Sequence, residues 1–161
     1  MKASALTLLA VASASLVLPV FAADAQVPYP ANYRGWHHVK SMVIERGHPL
    51  FESFGGIHHL YANDKALKGY RSGTFPDGAV IIFDLLEAEQ ADHAISEGKR
   101  KVLGVMHKHR KKYAATGGWG FEGFAEGKPA NRVVGKNAAS ACFACHQPLK
   151  AQDYVFSRLR D

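Results

Sequence analysis

The sequence predicts an α+β domain, a mainly antiparallel β-sheet with a few flanking helices. Two observations carry that expectation. Short runs rich in β-branched and aromatic residues recur along the chain and are bounded by glycine and proline, the pattern of strands joined by turns. The stretches between them carry helix signals instead, with capping residues or breaker-free Ala/Glu/Gln composition.

Residues 39–44, 56–61 and 79–86 are the first three expected strands, and Phe75-Pro76-Asp77-Gly78 is a turn feeding the third. A fourth strand is expected over 102–106 and a fifth over 119–124, where two-residue alternation puts Trp119 and Phe121 on one face. Glycines in that last run allow close approach of backbone or ring. Asn63 or Asp64 can cap a helix that ends near Gly73, and residues 86–97 read as a second helix. A short helix is expected over 137–145. A terminal helix is expected over 150–160, because Tyr154 or Val155 stands at helical spacing from Arg158 or Leu159. No repeat, low-complexity tract or linker divides residues 26–161, which are expected to form one domain; 47% hydrophobic residues supply its core.

Residues 1–25 read as a secretory signal peptide: Lys2, an apolar stretch from Ala5 to Val20, then small residues that permit cleavage after Ala22 or Ala25. A membrane anchor is the weaker reading, since the apolar stretch is only ~16 residues where a span needs about 20. Export to the periplasm is therefore expected. The 20 basic and 14 acidic residues give a formal charge of +6, concentrated in Lys99-Arg100-Lys101 and in residues 107–112. No nucleic-acid motif accompanies these clusters, so they read as a solvated face, with no nucleic-acid partner expected. The balance suits an acidic redox partner protein or an anionic surface.

Cys142-Phe143-Ala144-Cys145-His146 is C-x-x-C-H, the attachment signature of haem c. One helical turn spaces the two thiols to reach two vinyl groups, and the following imidazole falls beneath the iron. These are the chain's two cysteines, so one covalently attached haem is expected near the C-terminus, with Cys142 and Cys145 as its thioether residues and His146 as its axial iron ligand. The rivals are a Cys142–Cys145 disulfide, which lacks a preceding βαβ pattern, and a zinc site, which lacks a second ligand pair at matching spacing.

The other axial position decides function: a sixth protein ligand makes an electron carrier, an open position a gas-binding protein or an enzyme. Met42 and Met106 lie in apolar strand-like runs, where methionine is usually core. His58 and His59 are adjacent on a strand and point to opposite faces, so at most one could see the haem. His37, His38, His48, His93, His107 and His109 sit in polar or turn-rich settings and read mostly as surface.

Beyond the haem motif, Asn32-Tyr33-Arg34-Gly35-Trp36, Gly73-Thr74-Phe75-Pro76-Asp77-Gly78, Trp119-Gly120-Phe121 and Asp153-Tyr154-Val155-Phe156 occur in an informative order. With them the chain resembles the cytochrome P-460 family, which includes the cytochromes c′-β, over nearly its whole mature length. The resemblance implies a periplasmic homodimer with a mainly antiparallel fold and a five-coordinate haem c whose proximal ligand would be His146. It also implies one of two functions. One group of the family oxidises hydroxylamine with a haem cross-linked to a lysine and a polar acid in the distal pocket; the other lacks the bond, lines its pocket with phenylalanine and binds nitric oxide. The cross-linking position aligns with Thr74, which cannot make that bond, and Lys65 and Lys68 lie a helix away. The nitric oxide-binding group is the better match, and a hydroxylamine- or nitric oxide-oxidising enzyme and a simple electron-transfer cytochrome stay open. Phe51, Phe54, Phe75 and Phe83 are available for a phenylalanine-lined distal pocket, with Phe54 and Phe83 first. Such a donor-free pocket would disfavour dioxygen, whose partial negative charge needs a hydrogen bond, more than the nearly neutral nitric oxide complex.

Overall fold

The computed structural model describes residues 26–160; the expected signal peptide and its two cleavage sites lie outside the described residues. Five antiparallel strands form one sheet in sequence order: β1 (His37–Ile44), β2 (Gly56–Ala62), β3 (Val80–Ala91), β4 (Ala94–Lys108) and β5 (Trp119–Ala125). A single helical turn, α1 (Phe51–Phe54), joins β1 to β2, and α2 (Asp64–Ser72) joins β2 to β3. The expected α+β class and all five expected strands are present. No helix of the described residues is long and apolar enough to cross a membrane.

Capping chemistry fixes α2. The Asn63 side chain accepts from the Ala66 N–H at 2.9 Å, and Gly73 closes the helix at φ 77°, a left-handed conformation that glycine adopts without steric cost. The helix lies close because Gly69 has no side chain: a Cβ there would stand 2.2 Å from the Phe75 ring.

The sheet buries both faces. On its front, Val39, Ala62, Ile81, Trp119 and Phe121 form a core with Phe75 and Val155, and Trp119 and Phe121 share that face as the alternation predicts. On its back, Ile82, Leu103, Val105 and Phe124 pack under the N-terminal residues Val27 and Tyr33. Buried Asp84 there accepts from the Tyr33 hydroxyl at 2.6 Å and from two Arg100 nitrogens at 2.6 and 3.2 Å. Gly120 permits the expected close approach of a ring, since a Cβ would stand 2.5 Å from Tyr113.

Four expectations are corrected. Residues 86–97 are not a helix but the outer half of the β3–β4 hairpin, paired Ala88 to Glu97, Glu89 to Ser96, Gln90 to Ile95 and Ala91 to Ala94. Its two-residue turn is Asp92-His93, at φ 50° and 61°, the paired left-handed conformation that matches strand twist. Pairing continued from the buried half of the same strands overrides weak helix propensity. No terminal helix forms over 150–160: a 3-10 turn, Gln147–Gln152, stops where Asp153 and Tyr154 adopt φ 49° and 65°, and the chain runs on without regular structure. Met42 is not core but 40% exposed on edge strand β1. The basic clusters are not simply a solvated face, because Arg100 turns in to Asp84, Lys101 donates to the Gly55 carbonyl at 2.7 Å, and Lys108 is buried.

Candidate functional site

The C-x-x-C-H residues span a π-helical turn Ala139–Phe143 and α3 (Ala144–His146), preceded by a 3-10 turn Gly135–Asn137 and followed by another, Gln147–Gln152. The expected short helix is thus present, as tighter and looser turns than a regular α-helix. Its entry is pinned by Glu122 of β5, whose Oε1 accepts from the N–H groups of Val134 and Gly135 at 3.0 and 3.3 Å while Oε2 meets Arg132 at 3.1 Å. Burial alone would raise the Glu122 carboxyl, but the backbone donors and Arg132 outweigh it and hold the group below its usual range.

The two cysteines are unbonded to each other, half-buried Cys142 against the front core and Cys145 exposed. Burial, with the Glu122 carboxylate and Cys145 nearby, pushes the Cys142 thiol up to about 11. Among the described residues no group of three His, Cys, Asp or Glu side chains could hold a bare metal ion. The zinc alternative has no site there.

His146 is held by its neighbours. Its ring lies between Phe121 at 5.0 Å and Phe156 at 4.8 Å, and Nδ1 stands 2.8 Å from the Tyr154 carbonyl oxygen. With Nδ1–H donating to that carbonyl, the Nε2 lone pair is left for a metal, the usual arrangement behind a ligating imidazole. Burial lowers the affinity of His146 for a second proton, partly opposed by the same hydrogen bond. The Tyr154 carbonyl is itself braced. Asp153 accepts from the Lys108 ammonium at 2.6 Å and from the Phe75 N–H at 2.8 Å, and its own carbonyl accepts from the Trp119 indole at 2.8 Å. Lys108 also donates to the Gly117 carbonyl at 3.2 Å and lies 5.0 Å from the Trp119 ring.

Beside Phe121 the front face carries a strip without side chains. Gly123 of β5 pairs with Gly104 of β4, and Gly104 with Phe83 of β3. A Cβ on Gly104 would stand 3.3 Å from Phe83, and one on Gly123 would stand 2.8 Å from Val133, which is 60% exposed. Phe83, on the far side of the strip from Phe121, packs edge-on against half-exposed Phe54 at 5.7 Å and against the His58 ring at 4.5 Å. Phe54 and Phe83, the first two of the four phenylalanines considered for a distal pocket, are thus in edge-on contact. His58 and His59 do face opposite ways: His58 joins the front cluster, whereas His59 Nδ1 is 2.6 Å from the Ser41 hydroxyl, itself 2.9 Å from His38 Nε2. Met106 packs against the front core, as expected of a core methionine.

The donor set fits haem. A neutral imidazole with its outer nitrogen already engaged, two unbonded thiols one turn apart and a glycine strip between aromatic walls suit a flat ligand held from one side. Two clefts of about 670 and 490 Å³ lie elsewhere, near Ile44, Phe51 and Lys101 and near Tyr70, Val155 and Arg158, and neither takes in the motif or Phe83.

This is the class of site found in haem proteins. The family model for cytochrome P460 matches residues 30–157, so the chain belongs to the cytochrome P460 family, whose cofactor is haem. No curated protein matches the chain. Sequence reasoning missed the Lys108–Asp153 brace, the Glu122 anchor and the place of His58; only for His58 was there a signal, its alternation with Leu60 and Ala62 along one strand face.

Proposed function

We infer that this chain is an exported periplasmic cytochrome, acting as a homodimer, whose single haem c is bonded through Cys142 and Cys145 and ligated by His146, with an open sixth position that binds nitric oxide. The observation that carries the reading is the His146 imidazole, flanked by Phe121 and Phe156 and anchored through Nδ1 to the Tyr154 carbonyl. When bound, haem supplies an iron that takes a diatomic ligand and exchanges one electron. The chain's own residues orient the ring: Phe54 and Phe83 form an aromatic wall on the front face, and Met106, the methionine near that face, is engaged in packing. Scavenging, carriage or detoxification of nitric oxide follows from such a site.

Thr74 favours this reading over hydroxylamine or nitric oxide oxidation at a lysine-linked haem. It is exposed and adjoins Phe75, which bonds to Asp153 of the C-terminal segment, so the aligned position reaches the site's neighbourhood without a lysine. Lys65 meanwhile donates to the Asp77 carbonyl at 3.3 Å. The visible spectrum of the reduced protein is the test: a five-coordinate high-spin pattern is expected, and a low-spin pattern without added ligand overturns the open site in favour of an electron carrier. Peptide mapping should give a haem peptide with Cys142 to His146 alone; one also carrying Lys65 or Lys68 restores the enzyme.

A further inference from the structure

The C-terminal segment and the last turn of α2 enclose a cleft of about 490 Å³ that does not take in the haem motif. Its floor is apolar: Phe75 and Val155 are buried, and Leu159 packs against the front core. Along this segment Val155, Ser157 and Leu159 turn inward, which leaves Arg158 and Arg160 exposed at the mouth, where Arg71 of α2 joins them in lining the cleft. Among the described residues none of these three guanidinium groups has a hydrogen bond or ion pair, and no acidic side chain lines the cleft. The nearby carboxylate of Asp153 is committed to Lys108 at 2.6 Å. The Arg160 charge is felt by its surroundings: burial first, then His59 and Arg160, lower the proton affinity of His38.

We propose that this cleft binds a small organic anion that carries at least two negative charges and an apolar body. Three like charges around one concavity repel one another and raise its positive potential, which favours an anion over a neutral or cationic molecule. Guanidinium groups pair the oxygens of carboxylates and phosphates two at a time, so three of them call for more than one negative charge. Tyr70 and Ser157 add a donor: their hydroxyls stand 2.7 Å apart and share one hydrogen bond, which leaves the second hydroxyl hydrogen for the ligand. Burial, opposed by the Ser157 hydrogen bond, pushes the Tyr70 phenol up to about 12, so it keeps its hydrogen at neutral pH. The volume falls in the range of about 300 to 1,000 Å³ usual for small-molecule sites, and the floor suits a ring or short chain better than a fully hydrated ion. A ligand there ties α2 to the segment that carries the Tyr154 carbonyl, and binding to the folded chain alone raises its stability. The inference is independent of the sixth position of the haem.

The test is calorimetric titration of the holoprotein with phenyl phosphate, phthalate and inorganic phosphate, with the thermal midpoint as a second readout where the heat is small. The tighter of the two organic probes tells whether a phosphate ester or a dicarboxylate is the better match, and it should bind about tenfold more tightly than inorganic phosphate, because its ring leaves water against the floor. Arg71→Gln with Arg158→Gln, both at exposed side chains, should weaken that probe about tenfold or more. Lys99→Gln with Lys111→Gln removes the same charge from exposed positions outside the cleft and should change its affinity less than about twofold. Equal losses in the two double variants mean that net charge alone attracts the anion, and overturn the site. Inorganic phosphate binding as tightly as both organic probes overturns the apolar body. A protein that takes up none of the three at millimolar concentration overturns the proposal, and none of these outcomes bears on the spectrum that tests the open haem.

Discussion

The two walls of the site are built on opposite principles. On the His146 side the polar groups that matter are paired, through Tyr154, Asp153, Lys108, Trp119 and Phe75, in a chain of bonds between 2.6 and 2.8 Å. On the Phe54–Phe83 side, aromatic edges meet half in solvent and a buried nitrogen has no partner. A group that must hold a metal in one orientation gains from over-determination, because each bond removes a freedom that ligation would otherwise have to restrain. A surface that admits and releases a small molecule, the role proposed for this side, gains from the reverse.

The largest effect should come from the braced wall. Lys108→Met leaves the Asp153 carboxylate partly buried and unpaired, which costs about 3 to 5 kcal/mol, and the thermal midpoint should fall by roughly 10 °C or more. Folded Lys108→Met holoprotein should also show a changed reduction potential, since the Tyr154 carbonyl loses its fixed support. The Lys108→Met/Asp153→Asn pair should lose less than the sum of its single changes; strict additivity would mean the two groups do not act together.

Next in size is the contrast between two residues on the front face. His146→Ala should change the ligand-field spectrum and lower the yield of folded holoprotein. Met106→Ala, at a half-buried side chain packed against the front core, should cost about 1 to 3 kcal/mol and leave the spectrum as it was. If the spectral change followed Met106 instead, the assignment of the two sides would be reversed.

A smaller effect separates the walls by pH. The folded chain holds His58 at about 4 against an ordinary value near 6.5. Between those values the unfolded chain binds more protons, so stability falls as pH drops from 6.5 toward 4 and is unchanged by this group above that window. In chemical denaturation at a series of pH values, His58→Gln should lose about 1 to 3 kcal/mol less than wild type across it. Part of the acid slope should persist, because burial depresses His107 and His146 in the same direction. An unchanged slope would place His58 in water.

The smallest stability effect belongs to Phe54→Ala. At 39% exposure its loss should cost no more than about 1 kcal/mol. Ligand on- and off-rates measured by flash photolysis should nonetheless rise, as the aromatic wall opens. Rates equal to wild type would remove Phe54 from the ligand's path.

Local chemistry made much of this molecule readable in advance. The five strands, the Asn63 and Gly73 caps, the shared face of Trp119 and Phe121, and the opposed directions of His58 and His59 all follow from alternation and turn residues. What local chemistry could not show depends on distant partners. Residues 86–97 have helix-favouring composition, and only the pairing of the inner hairpin makes them a ribbon. Lys108 sits in a basic run that resembles a solvated patch, and its acceptor lies 45 residues away. The Asp153 and Tyr154 left-handed pair breaks a pattern whose spacing alone suits a helix.

The meander also sets an order of assembly. Each strand pairs with the one that follows it, so the sheet can zip through successive short loops. The C-terminal segment instead docks by closing loops of 45 and 78 residues, to Lys108 and to the Phe75 backbone. Each doubling of loop length adds about 0.6 kcal/mol of closure entropy, and long-range contacts form late. The thiol-bearing turn is therefore the last part to settle. Until it does, Cys142 and Cys145 stand outside a finished scaffold, and the Asp153 contacts to Lys108 and to the Phe75 backbone close only after the sheet they join has formed.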